Sequence, residues 1–203
     1  MDNYLIQAEN AKKYFLRYDQ EKIIQKLKLE SDDSYLYATL FSLPYRINRT
    51  TGDVSRREGD SWTDANTHSE VMTLMDLICD SRENRYLACR WKSMAAFGLM
   101  FHKTITESSA DPWALLFQEN PEALRRACLA LGGKPLPQGD VAYSIEVFDG
   151  LPIALQFWEG DEEFPPQVRY LWDENALMYI KYETMYFAVN LLLRRIREFM
   201  ENI

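Results

Sequence analysis

Residues 140–199 constrain the fold more than any other stretch: DVAYSIEVFDGLPIALQFWEGDEEFPPQVRYLWDENALMYIKYETMYFAVNLLLRRIREF. Tyr143, Ile145 and Val147 alternate with Ser144 and Glu146, the period-two pattern of a half-buried strand. Asp149-Gly150 is a tight-turn dipeptide, and Pro152 opens a second run where its missing N–H does least harm. Along that run Ile153, Leu155 and Phe157 face one way, while Ala154, Gln156 and Trp158 face the other. Gly160-Asp161 breaks it. Pro165-Pro166 blocks a helix and sets an extended entry into Val168–Trp172. Asp173 is placed to cap a short helix over Glu174–Tyr179. Met185, Val189, Leu192, Ile196, Phe199 and Ile203 then recur four, three, four, three and four residues apart, one apolar helical stripe. A chain carrying these elements has to bury an antiparallel sheet against a long helix. The fold class is therefore α+β: an antiparallel sheet packed by helices, with a long C-terminal amphipathic helix.

The preceding residues supply helices and a hairpin. Tyr4, Ala8, Ala11 and Phe15 recur at helical spacing, and Asp19 can cap a second helix carrying Ile23, Ile24 and Leu27. Tyr35 to Ile47 is rich in aromatic and β-branched residues and predicts one strand, with Pro44 at a bulge or an edge. Thr51-Gly52-Asp53 predicts a turn and Val54 a short return strand. Arg56–Asn66 is polar and predicts a loop. Thr67-His68-Ser69-Glu70 is a capping-box pattern, followed by the stripe Val71, Leu74, Met75 and Ile78. Tyr86 to Ile105 shows no dominant period. Asp111-Pro112 and Asn120-Pro121 each give an N-cap with proline at the first helical position, and Gly132-Gly133 stops the second helix. Lys134–Gly139 predicts a linker. The whole reads as a single α+β domain over 1–203, within which 1–66 is separable as a helix–hairpin subdomain.

The run FWEGDEEFPP, followed by YLWDENALMYI and the C-terminal helix, resembles the signature of an uncharacterised family of anaerobic bacteria and archaea, catalogued as a domain of unknown function. The resemblance is sharpest over Gly139–Ile180, weaker back to Val71, and makes 67–203 the family-like region. It implies no activity and no catalytic residues. Some relatives carry an extra cysteine-rich, iron–sulfur-like segment; this chain has no such segment, so the resemblance implies no redox role here.

The formal charge of −8 disfavours non-specific binding to nucleic acid or to an anionic membrane, both of which need a basic surface. Arg194, Arg195 and Arg197 read as a solvated face that complements the dipole of the last helix. Cys79, Cys89 and Cys128 are odd in number and form no C-x-x-C pair, so they point to neither disulfides nor a metal site, and no cofactor is implied. The N-terminus lacks the pattern of a signal peptide and no run reaches the length of a membrane span, which predicts a cytoplasmic protein. Walker, G-x-G-x-x-G, G-x-S-x-G and H-E-x-x-H patterns are missing. His68 reads as a first-turn helix residue and His102 as a packed one.

One candidate site remains. Glu159, Asp161, Glu162 and Glu163 fall within five positions, Trp158, Phe164 and Trp172 flank them and could wall a pocket, and Asp173 joins them if its strand returns close by. Clustered carboxylates repel unless a cation, an arginine or backbone N–H groups hold them. Asp161 can instead accept backbone hydrogen bonds in a turn while Glu162 and Glu163 stay solvated, and the frequency of Gly-Asp turns favours this. Beside the reading that makes the FWEGDEEFPP run purely architectural, a turn that sets hairpin register, two functional expectations follow. One is a non-catalytic binding or accessory protein that engages a protein or small-molecule ligand through this loop. The other is an enzyme whose loop carboxylates hold a divalent metal and activate water.

Overall fold

The structure is a computed structural model that describes residues 3–97 and 111–201. Phe101, His102, Ile105 and Ile203 lie outside them. Two helices open the described chain, α1 (Asn3–Phe15) and α2 (Gln20–Leu27). Asp19 caps α2 as expected, accepting the Lys22 N–H at 3.2 Å. A five-stranded antiparallel meander follows: β1 (Glu30–Ser31), β2 (Tyr35–Leu40), β3 (Leu43–Asn48), β4 (Val54–Glu58) and β5 (Ser61–Asp64). After α3 (His68–Asp80) come β6 (Trp91–Ser93), α4 (Pro112–Glu119), α5 (Pro121–Ala130), β7 (Lys134–Pro135), β8 (Val141–Phe148), β9 (Leu151–Trp158), β10 (Gln167–Asp173) and α6 (Tyr182–Glu201). The second sheet is also antiparallel, in the order β6-β10-β9-β8-β7. The α+β class and the long terminal helix are thus as expected.

The first sheet departs from the sequence expectation twice. Tyr35–Ile47 is two strands, not one, folded back at Phe41-Ser42 with φ of 51° and 62°. Neither residue favours that left-handed conformation, and no glycine or asparagine marks the turn. Tertiary contacts hold it. Phe41 is fully buried, and its N–H donates to the Val147 carbonyl at 3.2 Å, where β8 carries an irregularity between Glu146 and Phe148. The hairpin tip of one sheet is thereby fastened to the other. Pro44 sits in β3 just outside its pairing with β4, which covers only Tyr45–Ile47.

The second departure is Arg56–Asn66, which forms the β4–β5 hairpin instead of a loop. Its outward side chains face solvent, so its polarity is compatible with a strand. Arg46 lies between the Tyr35 and Trp62 rings, 4.2 and 4.7 Å from their centroids, which ties the outer strand to β2 across β3 and β4.

In the second sheet the expected strands pair as one hairpin and its neighbour. Asp149-Gly150 makes the β8–β9 turn with positive φ at both residues, and β9 pairs β10 from Trp158↔Gln167 to Ile153↔Trp172. Part of the expected linker, Lys134-Pro135, is an edge strand against Tyr143 and Ser144. Met185, Val189, Leu192 and Ile196 are buried, and α6 packs on α3 and α5. Buried residues from both sheets belong to one hydrophobic cluster. Among the described residues no helix is long and apolar enough to cross a membrane.

Candidate functional site

The acidic loop joins β9 to β10, and backbone hydrogen bonds determine its shape. Asp161 Oδ1 accepts the N–H groups of Glu163 and Phe164, each at 2.8 Å, while the Asp161 N–H donates to the Phe164 carbonyl at 2.9 Å. These bonds close a tight turn around one carboxylate. They also hold the Asp161 carboxyl below the usual carboxylate range, the Phe164 N–H contributing most and the Glu163 N–H next. Gly160 is required by close approach: a Cβ there would lie 2.6 Å from the Pro166 nitrogen. Outside the turn, the Glu159 N–H donates to Asp140 and the Gly160 N–H to Gln118, both at 2.8 Å. The loop is therefore anchored to α4 and to the start of β8.

This geometry divides the candidate residues. Glu159, Asp161, Glu162 and Glu163 stay together on the loop, all exposed. Among the described residues none of Glu159, Glu162 and Glu163 is ion-paired with a lysine or arginine. Trp158 is half-buried beside them, with the Arg169 guanidinium 5.1 Å from its ring centroid. Phe164 is 62% exposed. Trp158, Glu159, Asp161, Phe164, Pro165, Gln167 and Arg169 line an open groove of about 430 Å³, to which Glu162 and Glu163 do not contribute.

Asp173 does not join them, and neither does Trp172, which is fully buried at the same end of the strand. It lies at the far end of β10, since the loop meets that strand at Gln167 and Asp173 follows the Trp172↔Ile153 pair. It is also not a helix cap. The short 3₁₀ turn after it spans Ala176–Met178, and the buried Asp173 carboxylate accepts from the N–H groups of Ala88, Cys89 and Asn175 at 2.9, 2.7 and 2.8 Å. Its role is to pin the 88–89 segment, where Cys89 has a φ of 55°.

Two further charged clusters went unnoticed in the sequence. In the first, Arg195 is buried, not solvated, and donates to both Glu70 and Glu198. Glu70 is itself buried and also accepts the Tyr45 hydroxyl at 3.2 Å. The capping box explains why Glu70 is available: Thr67 accepts the Glu70 N–H, but its hydroxyl donates to Glu70 Oε2, leaving Oε1 for Arg195 and Tyr45. The chain continues through Glu198 to Arg56 and Glu58 on the first sheet.

The second cluster lies where α3 ends and α6 begins. Asp76 Oδ2 accepts the Lys181 N–H at 2.7 Å, and the Lys181 ammonium bridges Asp76 and Asp80. Tyr18 donates to Asp80, and its oxygen lies 2.9 Å from that of Tyr14. Burial pushes the Asp76 carboxyl up, against the opposing pull of Lys181. The partners in these clusters stand up to 142 residues apart, so no local spacing could have announced them.

Among the described residues no three His, Cys, Asp or Glu side chains converge closely enough to hold a metal ion. Burial pushes the Cys79 and Cys128 thiols up to about 12, which suits packing more than nucleophilic chemistry.

The family model described as Domain of unknown function (DUF3786) matches residues 19–195, and the chain belongs to that family. The match takes in the first sheet, beyond the stretch that carries the signature resemblance. No curated protein and no solved structure matches the chain.

Proposed function

Taking membership of this family as the premise, we propose that the protein is a non-catalytic binding or accessory protein whose 158–169 groove receives a basic segment of a partner protein. The observation that carries this reading is the exposed Phe164 ring beside Trp158, in a groove rimmed by the carboxylates of Glu159 and Asp161. Aromatic side chains supply contact area, and a rim of unpaired acids favours a cationic partner. The internal bonds of the turn reduce the ordering cost of binding, because the loop is already held in shape. The reading carries with it a cytoplasmic location, as reducing compartments preserve free thiols and all three cysteines are free. It also carries the expectation that relatives in anaerobic bacteria and archaea share the acidic signature.

The test is fluorescence anisotropy with a fluorescein-labelled octapeptide of alternating lysine and leucine. Saturable binding should weaken about tenfold or more in Phe164→Ala, and less in Glu159→Gln. Binding that survives both substitutions unchanged would overturn the proposal. A rise in melting temperature with magnesium or calcium, lost in Asp161→Asn, would move the site to the alternative reading of a metal-dependent enzyme.

A further inference from the structure

Away from that groove, the first sheet carries an open pocket of about 500 Å³, a size within the range of small-molecule sites. Trp62 on β5 and Tyr37 on β2 line it, with ring centroids 6.2 Å apart. Both rings are held in place: the Arg46 guanidinium lies 4.7 Å from the Trp62 centroid, and the Tyr37 hydroxyl donates to Asp32 at 2.7 Å. The charge of the pocket runs against that of the chain, whose net charge is −8. Lys28 and Arg57 line it against one carboxylate, Glu30. Among the described residues neither Lys28 nor Glu30 is ion-paired, and Arg57 meets Asp60 at 3.8 Å on a fully exposed side chain. A second observation concerns the backbone of Lys28, which ends α2 in the left-handed conformation with φ of 52°. Glycine adopts that conformation more easily, so a lysine kept there points to a use for its side chain. The dipole of α2 does not require it, since Lys26 already stands in the last turn.

We infer that this pocket binds a nucleoside monophosphate: the base against Trp62 and Tyr37, the phosphate met by Lys28 and Arg57, and Glu30 left to accept from a sugar hydroxyl. Aromatic side chains stack on any base, and lysine and arginine are the usual partners of a phosphate. A neutral aromatic ligand would leave both cations unused, and a bare anion would leave both rings unused. A cationic ligand would face Lys28 and Arg57 with a single acid to hold it. A long polyanion is opposed by the acidic surface beyond the pocket. One base and one phosphate use the aromatic and the basic parts together.

The experiment follows the Trp62 indole N–H resonance of the intact protein while adenosine monophosphate or uridine monophosphate is added. Saturable shifts are expected with both, because stacking tolerates either base. Adenosine and inorganic phosphate should each bind about tenfold more weakly or worse, having lost one half of the contacts. Lys28→Gly removes a phosphate contact while easing the left-handed backbone, so it should fold as the wild type does and raise the apparent dissociation constant about tenfold. Should that variant fail to fold, Arg57→Gln on the exposed hairpin reads the same contact and should also weaken binding. No saturable shift with either nucleotide, binding of adenosine or inorganic phosphate as tight as that of the monophosphates, or undiminished binding in the folded variants would each overturn the inference.

Discussion

Asp161 and Glu70 each stand next to a turn of the chain, and they are held in opposite ways. Asp161 is exposed, and its partners are the N–H groups two and three residues ahead. Glu70 is buried, and its main partner is Arg195, on the last helix. The first arrangement closes the turn from Asp161 to Phe164 and leaves the neighbouring acids turned to solvent, where a ligand can reach them. The second joins α3 to α6 and, through Glu198 and Arg56, to the first sheet; its charges are consumed by the fold. A high density of carboxylates in sequence therefore marks an accessible surface, while the acids that matter most to stability lie singly and far from their partners.

The comparison would break most visibly at the buried pair. Glu70→Ala leaves Arg195 buried without its main counter-charge and should destabilise the protein by about 3–5 kcal/mol. A denaturant midpoint close to that of the wild type would show that water or Glu198 compensates, and that the two regions differ less than their burial suggests. Leu192→Ala, on the same helix one turn earlier, empties a fully buried apolar position and should cost about 2–5 kcal/mol. If it costs nothing, α6 is held by its charges and not by its apolar stripe.

Asp76 sharpens the contrast through pH. Burial raises its folded value above the unfolded value of about 3.9. Its contribution to stability is thus fully present below that unfolded value, and is lost as pH rises through the folded one. Asp161 has the opposite sign: its folded value is depressed, so its contribution is present above about 3.9 and fades as pH falls through the folded value. Asp76→Asn should flatten the decline of stability with rising pH just above the unfolded value. An unaltered pH profile would mean that Lys181 offsets the burial in full.

What could be read from the sequence follows the same division. The Asp19, Asp111 and Asn120 caps, the Asp149-Gly150 turn and the Asp161 turn depend on bonds spanning two to four residues, and their residue types declare them. The Phe41-Ser42 turn escaped because its left-handed backbone is stabilised by Val147, on the other sheet. The β4–β5 hairpin escaped because its outer face needs no apolar alternation. Asp173 was misplaced for a related reason: pairing β9 with β10 fixes which end of the strand meets the loop, and the composition of either strand does not reveal it. Of the candidate site, the loop acids and Trp158 were legible together, while the Asp76–Lys181–Asp80 cluster, assembled from two helices about a hundred residues apart, was not.

The smallest effects belong to the loop. Glu162→Ala and Glu163→Ala should leave the melting temperature unchanged, since both side chains are exposed and neither is ion-paired among the described residues. A rise in either would show that repulsion within the loop is larger than its exposure implies.

The account rests on Asp161 acting as the lock of a turn, and comparing Asp161→Asn with Asp161→Ala tests that most directly. An asparagine carbonyl can accept the same two N–H groups, whereas alanine strands both. Melting temperatures measured with and without added magnesium or calcium should place Asp161→Asn near the wild type and Asp161→Ala a few degrees lower, with neither responding to the cation. Equal losses in the two variants, appearing only when the cation is present, would contradict the account and make the carboxylate charge, not the turn, the purpose of this loop.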